Sequence, residues 1–184
     1  MPHDRELLDR LAAFAPIKFD GEVFRATRRG LDPLAASLSG GRWMLPNQTP
    51  TLYTSREQNG AIAEIVHHWS QLTPLPSKPV VLHTLGVRLR KTLRLGRAEL
   101  IDLDVDWDHY GTSAMGRTQA IGAAVAHLKY DGLIAPSARC SCDNIMLFFP
   151  HQETVNEDLV VRSSVEVDWR QWAKEHMRHD QSSV

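Results

Sequence analysis

The 184-residue sequence predicts a single α+β domain, and three observations point that way. Apolar residues recur at helical spacing in Asp4–Phe14, Ser55–Trp69 and Thr118–Tyr130. They alternate or run together, as in strands, in Glu22–Thr27, Val80–Leu89, Glu99–Leu103, Gly132–Ala135, Asn144–Phe149 and Asp158–Trp169. The two kinds of element do not alternate regularly, and neither a Gly-x-Gly-x-x-Gly turn nor a P-loop follows a strand, so a doubly wound sheet is not expected. The expectation is about six or seven strands with three or four helices.

Taken in order, Asp4 caps a short docking helix whose Leu7, Leu8, Leu11 and Phe14 share a face, and Pro16 ends it. The strand Glu22–Thr27 puts Val23 and Arg25 on one face and Phe24 and Ala26 on the other. Arg25 therefore sits either at a sheet margin or in a cleft. Residues 28–50 carry Gly30, Pro33, Gly40, Gly41, Pro46 and Pro50 without periodicity, and a loop of that length in a domain this size is more often functional than idle. At its centre Ser39-Gly40-Gly41-Arg42-Trp43 reads as a ligand-contacting turn: the glycines admit close backbone approach, and Arg42 beside Trp43 offers a planar cation next to an aromatic face.

From Leu52 a strand feeds directly into a helix. Ser55 is the expected N-cap, with Gln58 completing a capping box. Ile62, Ile65, Val66 and Trp69 form the apolar stripe, and at about 100° per residue Glu64 falls nearly opposite, facing water or the wall of a cleft. Pro74, Pro76 and Pro79 stiffen the link to the next strand. Trp107–Gly116 is irregular, and its Gly111–Gly116 run is one residue too long for a nucleophile elbow. The following helix turns Ile121, Val125 and Leu128 inward, and the tail from Arg170 is charged with helical propensity.

Composition excludes several classes. A 42% hydrophobic content is that of an ordinary globular protein. A net charge of −1 lacks the basic surplus of a nucleic-acid binder. No apolar run approaches the roughly 20 residues that span a bilayer, and no signal-like apolar segment follows Met1, so a cytoplasmic protein with no membrane partner is expected. Cys140 and Cys142 are too close for an unstrained disulfide and read as structural or incidental thiols, with His151 a thin third candidate for a metal. His67 and His68 point about 100° apart on their helix and share a metal poorly. No metal site is expected.

Phe24-Arg25-Ala26, Gly40-Gly41-Arg42-Trp43, Leu52-Tyr53-Thr54-Ser55, Ala63-Glu64 and Gly132-Leu133-Ile134-Ala135-Pro136-Ser137-Ala138-Arg139 occur in that order. Together they resemble the RES-domain family, the toxin half of bacterial RES–Xre toxin–antitoxin systems, from about Glu22 to Pro150. The resemblance implies a split-sheet core like that of the ADP-ribosyltransferases, preceded by a helical segment over 1–21 and completed by a strand and charged tail over 151–184. It implies NAD+ as substrate rather than cofactor, consumed by hydrolysis or phosphorolysis of the nicotinamide–ribose bond. An Xre-type antitoxin is the implied protein partner, and a homodimer within a larger complex is compatible with it. Protein ADP-ribosylation and a non-catalytic NAD-binding module are the alternatives.

Position by position, the resemblance places the family's arginines on Arg25 and Arg42, its tyrosine on Tyr53, its glutamate on Glu64 and its serine on Ser137. Ala26 and Met44 depart from it, standing where relatives often carry an aromatic residue and an asparagine. In that chemistry Glu64 would steady positive charge developing on the ribose, and Ser137 would orient it or hold a ribose hydroxyl. Arg25 and Arg42 would grip the pyrophosphate bidentately. Gly41 would let the backbone close on the ligand, and Tyr53 and Trp43 would stack against a ring.

Overall fold

The computed structural model describes residues 4–112, 114–149 and 158–176; Ser113, Pro150, His151 and the end of the charged tail lie outside them. Strands β1 (Ile17–Arg28), β3 (Val80–Arg94) and β6 (Leu159–Val167) form one antiparallel half of the sheet, with β3 in the middle. Strands β2 (Thr51–Ser55), β5 (Asp143–Phe148) and β4 (Gly132–Pro136) form the other half, with β5 in the middle. Two seams join the halves. Thr92, Leu93 and Arg94 of β3 run parallel to Gly132, Leu133 and Ile134 of β4, and Phe24 of β1 pairs with Ser55 of β2.

Alternation along the strands sorts the side chains into three cores. Val23, Leu52, Leu85, Ile134, Ile145 and Leu147 come from both halves and pack on one another. Leu133, Ala135, Met146 and Phe148 face the other way, under α1 (Arg5–Ala12), α3 (Arg97–Asp102) and α4 (Gly116–His127). On the opposite side Phe24, Ala26, Val80 and Leu82 meet Ile62, Val66 and Trp69 of α2 (Gln58–Ser70) and Trp169 of α5 (Trp169–His176). Trp69 and Trp169 meet edge to face at 5.6 Å, tying the last helix to the one that carries Glu64.

Several elements differ from the sequence expectation. Glu99–Leu103 is not a strand but most of α3: Glu99 reaches back to accept from the Gly96 amide at 2.9 Å, half of a capping box hidden by a glycine at the cap. β1 begins at Ile17 rather than Glu22, because pairing of Asp20 with Arg88 and of Gly21 with Val87 carries the ladder through a polar pair. Ser55 is not the cap of α2. Its backbone is committed to β2, and its hydroxyl accepts from the Glu57 amide at 3.3 Å, while Glu57 caps the helix without a side-chain bond. The helix over Thr118–Tyr130 stops at His127, where Lys129 turns left-handed at φ 63°. The final strand ends at Val167, and Trp169 opens α5.

His83 is a buried histidine that bridges all three strands of its half. Its Nε2 lies 2.9 Å from the Thr27 hydroxyl on β1 and its Nδ1 2.7 Å from the Ser164 hydroxyl on β6. Burial, and secondarily the Arg25 charge, holds its pKa below the ordinary value of 6.5. The folded state thus binds this proton less readily than the unfolded chain, so the contribution of His83 to stability is complete above about pH 6.5 and is lost as pH falls below it. The thermal midpoint is expected to drop between pH 7 and pH 5.5, with a shallower slope in His83→Gln; equal slopes would assign the drop to other groups, His67 included.

Candidate active site

The expected site residues come from five separate stretches. Arg25 on β1, Gly41 and Arg42 in the following loop, Tyr53 on β2 and Glu64 on α2 all line one cavity of about 360 Å³, together with Asn144 on β5. That volume lies at the lower end of the roughly 300–1,000 Å³ typical of ligand pockets. The short turn between Ser55 and Gln58 leads from β2 straight into α2, which packs on Phe24, Ala26, Val80 and Leu82 and sets Glu64 in the cavity wall.

The carboxylate of Glu64 is held by two donors. Ser137 Oγ and Asn144 Nδ2 each donate to Oε1 at 2.8 Å. Oε2 takes no hydrogen bond from the described residues. The Ser137 hydroxyl is itself fixed by the Arg139 amide, which donates to it at 3.1 Å.

The two guanidinium groups are costly where they stand. Burial pulls Arg25 down to about 10, opposed only in part by Asp32, and its Nη1 is buried without a hydrogen-bond partner. Burial likewise lowers Arg42; Tyr110 counters this and Arg139 adds to it. Arg42 Nη2 donates to the Thr112 carbonyl at 3.0 Å, whereas its Nη1 is buried and unpartnered. Buried donors without acceptors are rare in folded proteins, and the two arginines that carry them both line this cavity. An anion with several acceptor oxygens fits this donor set.

The aromatic residues divide. Tyr53 lines the cavity, and burial pushes its phenol up to about 12 against a smaller opposing pull from the Trp43 backbone. Trp43 also lines the cavity, but it is only 2% exposed and its side chain belongs to the core under α4, so little of its ring is open to a ligand. The aromatic partner of Arg42 is instead Tyr110, 5.0 Å from the guanidinium carbon to the ring centre. Tyr110 comes from the irregular stretch after Trp107, where no periodicity marks it out, and its hydroxyl is anchored on the Pro136 carbonyl at 2.6 Å. Asn144 was equally hidden, reading as the polar start of an apolar strand.

The arginine turn is fixed by close packing. Gly40 adopts φ 76°, and a Cβ there would lie 2.7 Å from the Pro46 nitrogen. A Cβ on Gly122 would fall 1.7 Å from the Trp43 carbonyl oxygen, so α4 lies directly against the turn. Gly122→Ala is expected to force the turn and α4 apart, lowering stability by about 1–3 kcal/mol as overpacking does. It should also weaken ligand binding through Arg42, although Gly122 touches no ligand. Unchanged melting and unchanged binding would show that the turn yields freely.

Cys140 and Cys142 are free thiols, and burial, the largest influence on it, pushes Cys142 up to about 12. No group of three or more His, Cys, Asp or Glu side chains among the described residues could hold a metal ion. No helix among them is long and apolar enough to cross a membrane.

The model of the RES domain matches residues 18–170. The chain belongs to the RES domain family. The match spans the whole candidate site, from Arg25 to Asn144. In structure this RES domain is similar to the MbcT toxin of the M. tuberculosis MbcT–MbcA toxin–antitoxin complex, with a TM-score of 0.81 and 21% identity over 93% of this chain and 97% of that one. At that identity the likeness establishes the fold. No curated protein matches the chain.

Proposed function

We propose that this RES domain protein is the toxin of a toxin–antitoxin pair and consumes NAD+ by cleaving the nicotinamide–ribose bond. The observation that carries the reading is the convergence of Arg25, Arg42 and Glu64 on one cavity, with the carboxylate held from behind by Ser137 and Asn144. The two three-stranded groups of the six-stranded sheet, joined only by the short β1–β2 and β3–β4 pairings, support an ADP-ribosyltransferase-like core. Membership of the family, and the complex in which the structural relative was solved, support the toxin role. An Xre-type antitoxin covers the cavity in the paired state, and the reaction runs in the cytoplasm.

Each group has a chemical task. Arg25 and Arg42, which line the cavity, supply charge-assisted donors to the pyrophosphate oxygens. The nicotinamide-bearing ribose then lies against Glu64, whose Oε2 accepts from a ribose hydroxyl. As the bond from ribose carbon to nicotinamide nitrogen breaks, its electron pair leaves with nicotinamide, which departs neutral and needs no general acid. Positive charge gathers on the ribose, and the fixed carboxylate stabilises it. Water, or phosphate, attacks the same carbon; with water the proton passes to solvent and free ADP-ribose remains. Tyr53 closes one wall of the cavity, with its phenol protonated at all physiological pH values.

The test is the incubation of purified protein with NAD+ in phosphate-free and phosphate buffers, with chromatography of the products. Free nicotinamide is the expected result: its release in both buffers would name water as the acceptor, and its release only with phosphate would name phosphate. With labelled NAD+ in lysate, label on a discrete protein band would replace this reading with protein ADP-ribosylation. Tight NAD+ binding without nicotinamide release would reduce the protein to a binding module.

A further inference from the structure

Asn144 has no role in the resemblance, yet its backbone and its side chain are both held in place. It lies on β5, the middle strand of its half, with Ser55 of β2 opposite on one side and Ala135 of β4 on the other. Hydrogen-bonded ladders on both sides leave its Cα almost no freedom. Its side-chain amide donates to Glu64 Oε1 at 2.8 Å, whereas its carbonyl oxygen Oδ1 is buried with no partner. The orientation of the amide follows from chemistry. Turned over, Oδ1 would face the carboxylate oxygen, and two acceptors at that distance repel.

We propose, building on the reading of Glu64 as the charge-stabilising carboxylate, that Asn144 is its positioning residue. Together with Ser137 it forms a two-donor clamp that fixes Oε1 and so aims Oε2 at the ribose. The two donors come from the two ends of one connection, Ser137 just after β4 and Asn144 just inside β5. That connection is closed at its base by the Ser137 amide donating to the Cys142 carbonyl at 2.8 Å. A carboxylate on a helix is thereby locked to a sheet by a single rigid hairpin end. The site requires an amide and not an acid here: an aspartate would set a second carboxylate at 2.8 Å from Glu64, and the pair would have to share a proton.

The proposal is tested on two independent readouts. In turnover, Asn144→Ala is expected to lower kcat about 10- to 100-fold with little change in KM, the loss typical of a hydrogen bond to a charged group. Asn144→Asp should also move the acid limb of the kcat profile to higher pH, which a purely structural lesion would not do. In NMR, without any substrate, the Asn144 side-chain amide protons should shift clearly when Glu64→Gln removes the charge they contact. Parent-like kcat and pH profile in both Asn144 variants, or Asn144 amide protons indifferent to Glu64→Gln, would overturn the clamp. If the parent releases no nicotinamide at all, the proposed reaction fails, and the NMR readout still decides whether Asn144 holds Glu64.

Discussion

Glu64→Gln is expected to reduce nicotinamide release from NAD+ by about 10²–10³-fold while NAD+ binding and the melting temperature stay near the parent values. The size follows from the role. The substitution is isosteric, so the ribose still finds a polar partner in the ground state. The negative charge that stabilises the transition state is gone. In kinetic terms the loss should appear in kcat rather than KM, the sign of an interaction that grows along the reaction coordinate. The clamp makes a second consequence specific. A glutamine at 64 retains a carbonyl oxygen for Ser137 and Asn144, so the two donors at 2.8 Å keep an acceptor and the hairpin between β4 and β5 stays in place. Parent-like turnover in this variant would remove Glu64 from the chemistry.

Arg25→Met should move stability and function in opposite directions. The guanidinium is buried, pulled down to about 10, and has an unpartnered Nη1. Its cationic form is therefore less favourable in the folded chain than in the unfolded one. The sign follows directly: the penalty is full below pH 10, fades between 10 and the unperturbed 12.5, and so is present at every working pH. Replacing the charge with an apolar side chain of similar length should stabilise the ligand-free protein by roughly 1–3 kcal/mol, a rise of several degrees in melting temperature. The same change removes a charge-assisted bond to the pyrophosphate and should weaken NAD+ binding about 10- to 150-fold. Differential scanning calorimetry and equilibrium binding on one sample measure both. A variant that melts lower and binds as the parent does would show that Arg25 serves the fold and not the ligand. Arg42→Lys probes the same donor set more gently, since Lys keeps the charge but loses the fork and the stacking on Tyr110.

The faces that carry Arg25 and Glu64 were legible in the sequence, whereas their place in one site was implied only by the family resemblance. Arg25 was legible as a cation on an apolar strand face, and Glu64 as the residue opposite a helical stripe, because both follow from periodicity alone. Which way each looked depended on the path of α2 across the sheet, and that is set by the commitment of Ser55 to β2, a tertiary matter. The burial of the Trp43 ring was hidden for a related reason. Adjacent residues in a turn diverge, and Gly122, far along the chain, creates the space that draws the Trp43 backbone against α4. Tyr110 and Asn144 left no local signal, since a loop tyrosine and an asparagine at the start of a strand are ordinary until their partners are known. The misread strand at Glu99–Leu103 has a simpler cause: a capping box whose first residue is glycine does not look like one.

A structure of the Glu64→Gln variant crystallised with intact NAD+ addresses the central claim most directly. The account predicts the pyrophosphate between Arg25 and Arg42, the nicotinamide ribose within hydrogen-bond reach of residue 64, and the side chain of that residue still seated on Ser137 and Asn144. A dinucleotide bound elsewhere on the surface, or one whose pyrophosphate touches neither arginine, would contradict it.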